Sequence, residues 1–101
     1  MANIFEIKNK SGRNIILTKD RWQHISEHKG MEQRLEDIKR AITNPTTVMP
    51  HQYDENRRNY YLYYKERKRY LLVAVRYLNG EGYISTAFMT RKIIKKWKAK
   101  I

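Results

Sequence analysis

The stretch YYLYYKERKRYLLVAVRYLNGEGYISTAF, residues Tyr60 to Phe88, decides the fold. It is rich in the aromatic and β-branched residues that favour strands, and two short groups of turn residues interrupt it. The first group is Glu66-Arg67-Lys68, and the second begins with Asn79-Gly80, the strongest short-range signal for a β-hairpin. The stretch therefore predicts three consecutive antiparallel strands, onto which the rest of the chain packs.

The preceding part of the chain predicts a hairpin and two helices. Residues 3–8 and 14–17 have the composition of two short strands joined by a turn. Thr18 is suited to cap a helix from Lys19 to Lys29, which Gly30 ends in a left-handed conformation. A second helix is predicted from Glu32 to Thr43, because its apolar residues recur at helical spacing and a proline follows.

Two further elements complete the predicted order. Residues 46–49 predict a short edge strand, and Thr90 is expected to cap a terminal helix from Arg91 to Lys100. The fold class predicted is α+β: an N-terminal β-hairpin and two helices, then a four-stranded antiparallel sheet and a C-terminal helix. A length of 101 residues predicts a single domain spanning residues 1–101.

Alternation along the strands sorts their side chains between two faces of the sheet. In the strand from Tyr83 to Met89, strict alternation places Thr86 on the same face as Ile84 and Phe88 and opposite to Tyr83. Which face packs against the helices depends on the strand register, and the sequence alone leaves that open.

The bulk composition favours a polyanionic partner. The formal net charge is +12, and such an excess repels itself unless it meets opposite charge. Nucleic acid is the first candidate, an anionic membrane surface is the second, and a merely soluble basic protein is the third. The chain has no cysteine, so disulfides and thiolate chemistry are excluded. Without a leader or an apolar run of about 18 residues, we expect a cytoplasmic location and no membrane insertion.

Two histidines are spaced four residues apart in the first predicted helix. His24 and His28 are candidates for a general base and a substrate-orienting group, because imidazole titrates near neutral pH. A zinc site is not expected, since only His51 and a carboxylate remain to complete four ligands. The spacing alone slightly favours a non-catalytic role, in which one imidazole packs against the protein and the other is solvated.

Cations alternate with tyrosines through the central stretch. Such a surface neutralises phosphates and stacks single-stranded bases, whereas the alternative is a solvated sheet edge protected by charge. The predicted nucleic-acid-binding residues are Arg57, Arg58, Tyr61, Tyr63, Tyr64, Arg67, Lys68, Arg69, Lys92, Lys95 and Lys96.

One acidic pattern is interpreted as a coincidence. Asp54 with Glu66 and Lys68 resembles the acid…ExK pattern of metal-dependent nucleases, but Glu66 and Lys68 lie in a predicted turn. A basic chain supplied with His, Lys, Arg and Tyr instead suits metal-independent RNA cleavage, in which a neighbouring 2′-hydroxyl attacks the phosphorus.

Several short motifs together resemble a known group of proteins. The chain is similar to the phage-associated nucleases of the barnase/EndoU/colicin/RelE-like (BECR) superfamily over roughly residues 16–92. The matching blocks are Leu17-Thr18, Arg21-Trp22, His24-Ile25, His28, Asn44-Pro45, Tyr63-Tyr64-Lys65, Val73-Ala74-Val75-Arg76 and Ile84-Ser85-Thr86-Ala87-Phe88.

This resemblance implies a metal-independent endoribonuclease without a cofactor, with RNA as its partner. It also implies a toxin or phage-linked effector, for which an acidic antitoxin or immunity protein would be a fitting partner. The alternative is a non-catalytic, basic nucleic-acid-binding module on the same fold. The catalytic residues implied are His24 and His28 as base or acid, Lys65 and Arg76 on the phosphate, and Thr86 positioning it.

Overall fold

The computed structural model describes residues 3–51 and 53–93. Its elements in chain order are β1 (Asn3–Lys8), β2 (Asn14–Thr18), α1 (Lys19–Ser26), a 3₁₀ turn (Met31–Gln33), α2 (Leu35–Thr43), β3 (Thr47–Pro50), β4 (Arg57–Tyr64), β5 (Arg69–Leu78) and β6 (Glu81–Thr90).

The strands form one six-stranded mixed sheet in the order β1-β2-β6-β5-β4-β3. The prediction of a four-stranded antiparallel sheet is therefore wrong. Strands β3 to β6 are antiparallel neighbours, but β2 pairs in parallel with β6 and adds the N-terminal hairpin to the sheet. The parallel pairs are Ile15 with Gly82 and Ile16 with Tyr83. A Cβ atom on Gly82 would lie 2.6 Å from the Cδ1 atom of Ile15, so the absence of a side chain there permits the close approach.

The end of β6 also differs from the prediction. Thr90 is the last residue of β6 and not a helix cap, because it pairs with Tyr70 of β5. Residues 91–93 are not helical. The remainder of the predicted helix Arg91–Lys100 lies outside the described residues.

Both helices begin and end for local reasons. The Oγ1 atom of Thr18 accepts a hydrogen bond from the backbone N–H of Arg21 at 3.2 Å, which confirms the predicted cap of α1. The helix ends at Ser26, and a turn leads to Gly30, whose φ of 80° is left-handed. The second predicted helix is divided, because Arg34 has φ −112° and ψ 20° between the 3₁₀ turn and α2.

The main core lies between the two helices and one face of the sheet, which we call the helix side. Among its buried residues are Ile25 of α1, Ile38 and Ile42 of α2, Tyr60 and Leu62 of β4, and Leu71, Val73 and Val75 of β5. Burial of each such aliphatic side chain stabilises the fold by roughly 1.5–3 kcal/mol.

The opposite face of the sheet, which we call the second face, has a smaller apolar cluster. Met49, Tyr61 and Leu72 are buried there, and Phe88 and Ile93 pack against them. Since Ile93 follows β6, the chain packs against the second face immediately after this strand.

A β-bulge in β6 changes which residues share a face. Ala74 pairs with Thr86, but the next residue, Val75, pairs with Ile84, so Ser85 is an additional residue. The Oγ atom of Ser85 donates a hydrogen bond to the carbonyl oxygen of Ala74 at 3.2 Å.

The strict alternation expected for this strand is therefore wrong. Ile84 belongs to the core on the helix side, whereas Thr86 is directly opposite Ala74, which packs on the second face. Tyr83 pairs with Arg76, the strand neighbour of the buried Val75, and therefore also lies on the second face. The bulge thus places Tyr83 and Thr86 on the same face.

A substitution at Gly82 tests the parallel pairing. We expect Gly82→Ala to lower the free energy of unfolding by about 1–3 kcal/mol, because the new methyl group would lie 2.6 Å from Ile15 Cδ1 and 2.8 Å from Val75 Cγ1. Adding Ile15→Val removes the Cδ1 atom. In urea denaturation, the double variant should therefore lose less free energy of unfolding than the sum of the losses in the two single variants. Strict additivity would contradict the contact.

A second prediction concerns stability at alkaline pH. The hydroxyl of Tyr64 donates to Oδ2 of Asp37 at 2.6 Å, and burial together with this bond raises the pKa of Tyr64 to about 12. Because the unfolded chain releases this proton near pH 10, the corresponding stability is complete below pH 10 and is lost as pH rises towards 12. Tyr64→Phe should flatten the alkaline fall in urea midpoint, whereas Tyr63→Phe should not. Equal slopes in wild type and Tyr64→Phe would contradict this coupling.

Candidate nucleic-acid interface and catalytic site

The histidine pair lies at the C-terminal end of α1. His24 is in the last turn of the helix and His28 is in the turn that follows, and both side chains are exposed. Their ring centroids are 6.0 Å apart with an interplanar angle of 85°. The two imidazoles are therefore adjacent and accessible from solvent.

Arg21 adds a cation to this surface. It is three residues before His24, so it lies on the same side of the helix. Arg21 and His24 line an open depression of about 350 Å³, together with Asp20, Gln23 and Glu27. Arg21 was not among the predicted site residues, although its spacing from His24 was the available signal.

A second group of charged side chains lies on the second face. Arg57 is directly opposite Arg76, which is directly opposite Tyr83 on the next strand. The Nε atom of Arg57 is 3.2 Å from Oδ2 of Asp54. The two groups form an ion pair, but their geometry is not that of a hydrogen bond. Arg76 is exposed and forms no ion pair within the described residues. Asp54 therefore compensates the charge of Arg57, and Arg76 is the member of the pair whose charge is available to an anionic ligand.

Polar groups extend this arginine pair across β6. Thr86 is half-buried on the same face, and the hydroxyl of Tyr83 donates to Oε1 of Glu81 at 3.2 Å. Desolvation and this hydrogen bond raise the pKa of Tyr83. The β-bulge therefore creates a polar strip of Arg57, Arg76, Tyr83 and Thr86, which we call the arginine strip.

The predicted stacking tyrosines lie in different surroundings. The exposed ring of Tyr63 is 4.9 Å from the ring of Tyr70 and tilted by 47°, so Tyr63 offers an aromatic surface to a base. Tyr61 is fully buried on the second face. Tyr64 lies on the helix side, where the guanidinium of Arg34 is 5.0 Å from its ring centroid.

Most of the remaining predicted cations lie at one end of the sheet. Lys65, Arg67 and Lys68 are exposed in the β4–β5 turn, and Arg69 begins β5. Exposed Lys92 lies at the same end, because it follows Thr90, which pairs with Tyr70. Lys95 and Lys96 lie outside the described residues.

Arg58 is separated from its neighbour Arg57. Its partner across the strands is the buried Val75, so it faces the helix side and lines a cleft at the other end of the sheet. The acid…ExK pattern is also divided. Asp54 precedes β4 and Glu66 follows it, so the eight residues of the strand lie between the two carboxylates.

The structure brings together only part of the predicted catalytic set. Arg76 and Thr86 share the second face, whereas Lys65 is in the turn beyond β4. His24 and His28 belong to the helix layer, because α1 buries Ile25 in the core on the helix side. The sheet therefore lies between the histidines and the arginine strip.

The described residues include neither a metal-binding group nor a membrane-spanning helix. Within residues 3–51 and 53–93, no three His, Asp or Glu side chains are grouped closely enough to hold one metal ion. In the same ranges, no helix has the length and apolar character needed to span a bilayer.

A strongly basic protein that exposes imidazoles, guanidinium groups and tyrosine rings has the surface chemistry of proteins that act on nucleic acid. The family model described as phage-Barnase-EndoU-ColicinE5/D-RelE like nuclease2 matches residues 2–101, and the chain belongs to this nuclease family. The resemblance identified from the sequence motifs is thereby confirmed. No curated protein and no solved structure matches the chain.

The arginine strip leads to a prediction about binding. We expect Arg76→Gln to weaken the binding of a single-stranded oligonucleotide and to reduce the slope of log affinity against log salt by about 0.7, the value for one phosphate contact. Fluorescence anisotropy at several salt concentrations measures both quantities. Arg40→Gln removes the same charge from the exposed surface of α2 and should leave the slope nearly unchanged. Equal effects of the two variants would show that only net charge matters.

Proposed function

We propose that the protein is an endoribonuclease that cleaves RNA without a metal ion, by attack of the neighbouring 2′-hydroxyl on the phosphorus. The observation that carries this proposal is the pair of adjacent exposed imidazoles, His24 and His28, at the end of α1, where His24 shares a depression with Arg21. Membership of a nuclease family supplies the reaction class, and the net charge of +12 favours a polyanionic substrate.

The three side chains meet the chemical requirements of this reaction. One neutral imidazole accepts the proton of the 2′-hydroxyl, whose oxygen forms a new bond to phosphorus. The bond to the 5′-oxygen breaks, and the other imidazole, in its protonated form, donates a proton to that leaving oxygen. Arg21 balances the charge on the phosphoryl oxygens. The products are a 2′,3′-cyclic phosphate and a free 5′-hydroxyl.

The other predicted site residues would bind the RNA on either side of the cut. Lys65 lies in a cationic turn, and Arg76 and Thr86 belong to the arginine strip. The shortest dimension of the molecule is 22 Å, so a single RNA strand of several nucleotides is long enough to pass from the helix layer round to the second face. We therefore propose that these residues position the substrate, while the histidines perform the proton transfers.

The test is cleavage of RNA in the presence of EDTA. We expect wild type to cleave a mixed-sequence RNA and to leave 2′,3′-cyclic phosphate ends, which mass spectrometry identifies. His24→Ala and His28→Ala should each reduce the rate by about 100- to 10,000-fold, the usual contribution of a general acid or base. His51→Ala, which removes a histidine remote from α1, should retain the wild-type rate. An RNA with 2′-deoxyribose at the cut site should not be cleaved.

Other outcomes would contradict parts of this proposal. Cleavage that survives the loss of both His24 and His28 but is abolished by Thr86→Ala would place the chemistry on the second face. Cleavage that requires added magnesium would exclude the metal-independent mechanism.

A second candidate function is a non-catalytic nucleic-acid-binding module. The observation that favours it is the separation of the histidines from Arg76 and Thr86 by the sheet. Tight, salt-sensitive RNA binding by wild type without any cleavage would establish this second function and exclude the first.

A further inference from the structure

A cleft of about 420 Å³ opens on the helix side, at the end of the sheet away from the β4–β5 turn. Its walls come from the β1–β2 turn, the β3–β4 loop and the ends of β4 and β5. The volume is within the range of sites that bind small organic ligands. The side chains that line the cleft belong neither to the histidine pair nor to the arginine strip.

Two tyrosine hydroxyls meet in this cleft. The hydroxyls of Tyr60 and Tyr77 form a short hydrogen bond, and Nδ2 of Asn9 donates to the Tyr60 hydroxyl at 3.0 Å. Burial and the bond to Tyr60 raise the pKa of Tyr77.

The hydrogen bonds among Tyr60, Tyr77 and Asn9 leave one hydroxyl proton without an acceptor in the described residues. Tyr60 and Tyr77 together carry two hydroxyl protons, and their mutual bond uses one of them. Asn9 supplies its own proton, so it uses neither. Within the described residues the second hydroxyl proton has no acceptor. Because Tyr60 and Tyr77 both line the cleft, this proton is available to an acceptor on a ligand.

The charges around the cleft favour an anion. Lys10, Arg13 and Arg58 line it, against the single carboxylate of Glu55. The Nη1 atom of Arg58 donates to the backbone carbonyls of Glu55 at 2.9 Å and Arg57 at 3.1 Å, and these bonds hold the guanidinium in place. Among the described residues, the Nε and Nη2 atoms of Arg58 have no hydrogen-bond acceptor and can donate to a ligand.

Arg13 provides a flat surface in addition to its charge. Its Cζ atom lies 4.9 Å from the ring centroid of Tyr77, so the guanidinium covers one face of that ring. The Arg13 side chain is exposed on its outer side. Guanidinium planes of this kind stack against unpaired bases in RNA recognition.

We propose that this cleft binds one nucleotide of the RNA substrate. Lys10 and Arg58 contact the phosphate, the base stacks on the outer plane of Arg13, and the remaining tyrosine hydroxyl donates to an oxygen of the nucleotide. The choice of RNA as the source of the nucleotide rests on the proposed function. The expectation that the ligand is a nucleotide depends only on the residues of the cleft.

Binding is tested with ligands that cannot be cleaved. The probes are adenosine 5′-monophosphate, inorganic phosphate and a 2′-O-methyl hexanucleotide, with amide NMR shifts as the readout. We expect the monophosphate and the hexanucleotide to shift the amides of residues 9–13 and 55–58, and the hexanucleotide to bind more tightly.

Matched variants show whether the cleft is responsible. Arg13→Gln and Arg58→Gln should each weaken nucleotide binding by at least about fivefold, the lower end of the effect of losing one stacking or phosphate contact. Tyr77→Phe should weaken it by a smaller factor, and Arg40→Gln, with the same loss of charge as either arginine variant, should not weaken it.

Four results would overturn the proposal. These are an absence of shifts at residues 9–13 and 55–58, equal weakening by Arg40→Gln, inorganic phosphate binding as tightly as the nucleotide, and a hexanucleotide that binds elsewhere. The last result would assign the cleft to a free nucleotide and not to RNA.

Failure here is distinguishable from failure of the proposed function, because the two are measured separately. A protein that cleaves RNA but binds no nucleotide in the cleft overturns only this inference. A protein that binds a nucleotide and the hexanucleotide here, but cleaves nothing, overturns only the nuclease proposal.

Discussion

The parallel pairing of β2 with β6 is the contact on which the rest of the structure depends. It joins an N-terminal hairpin to four antiparallel strands and gives one six-stranded sheet. Gly82 makes the pairing possible, because any side chain there would collide with Ile15, Val75 and Tyr77. Since β2 leads directly into α1, the same pairing fixes where α1 begins relative to the sheet. The main core then forms between this sheet and the helices.

This arrangement distributes the chemically active side chains over several surfaces. The imidazoles of His24 and His28 are exposed on the outer surface of the helix layer, and the arginine strip is on the second face. A ligand that contacted both would have to extend around the molecule, as a flexible single strand does and a compact substrate does not. Within the described residues, the cations therefore lie on several separate surfaces and are not concentrated in one pocket. A nucleic acid that is contacted at several phosphates fits this distribution of charge.

Local features of the fold could be predicted from the sequence, whereas long-range ones could not. Asn79-Gly80 predicted a tight turn, and both residues have positive φ; Thr18 predicted the cap of α1. The parallel pairing could not be predicted, because it joins distant segments without a local signal. The bulge at Ser85 could not be predicted either, because nothing in the strand pattern indicates an additional residue. This bulge nevertheless determines on which face of the sheet Thr86 lies. Motifs predicted the family, whereas the cleft of Tyr60 and Tyr77 could be found only from the folded chain.

The most direct test of this account is a measurement of interstrand NOEs between β2 and β6 in the uniformly labelled protein. The structure predicts NOEs of a parallel ladder between residues 15–16 and 82–83, with slow amide exchange along this edge of β6. Antiparallel Hα–Hα contacts in their place, or rapid exchange along that edge, would show that the hairpin is not part of the sheet. The separation of the histidines from the arginine strip would then have no structural basis.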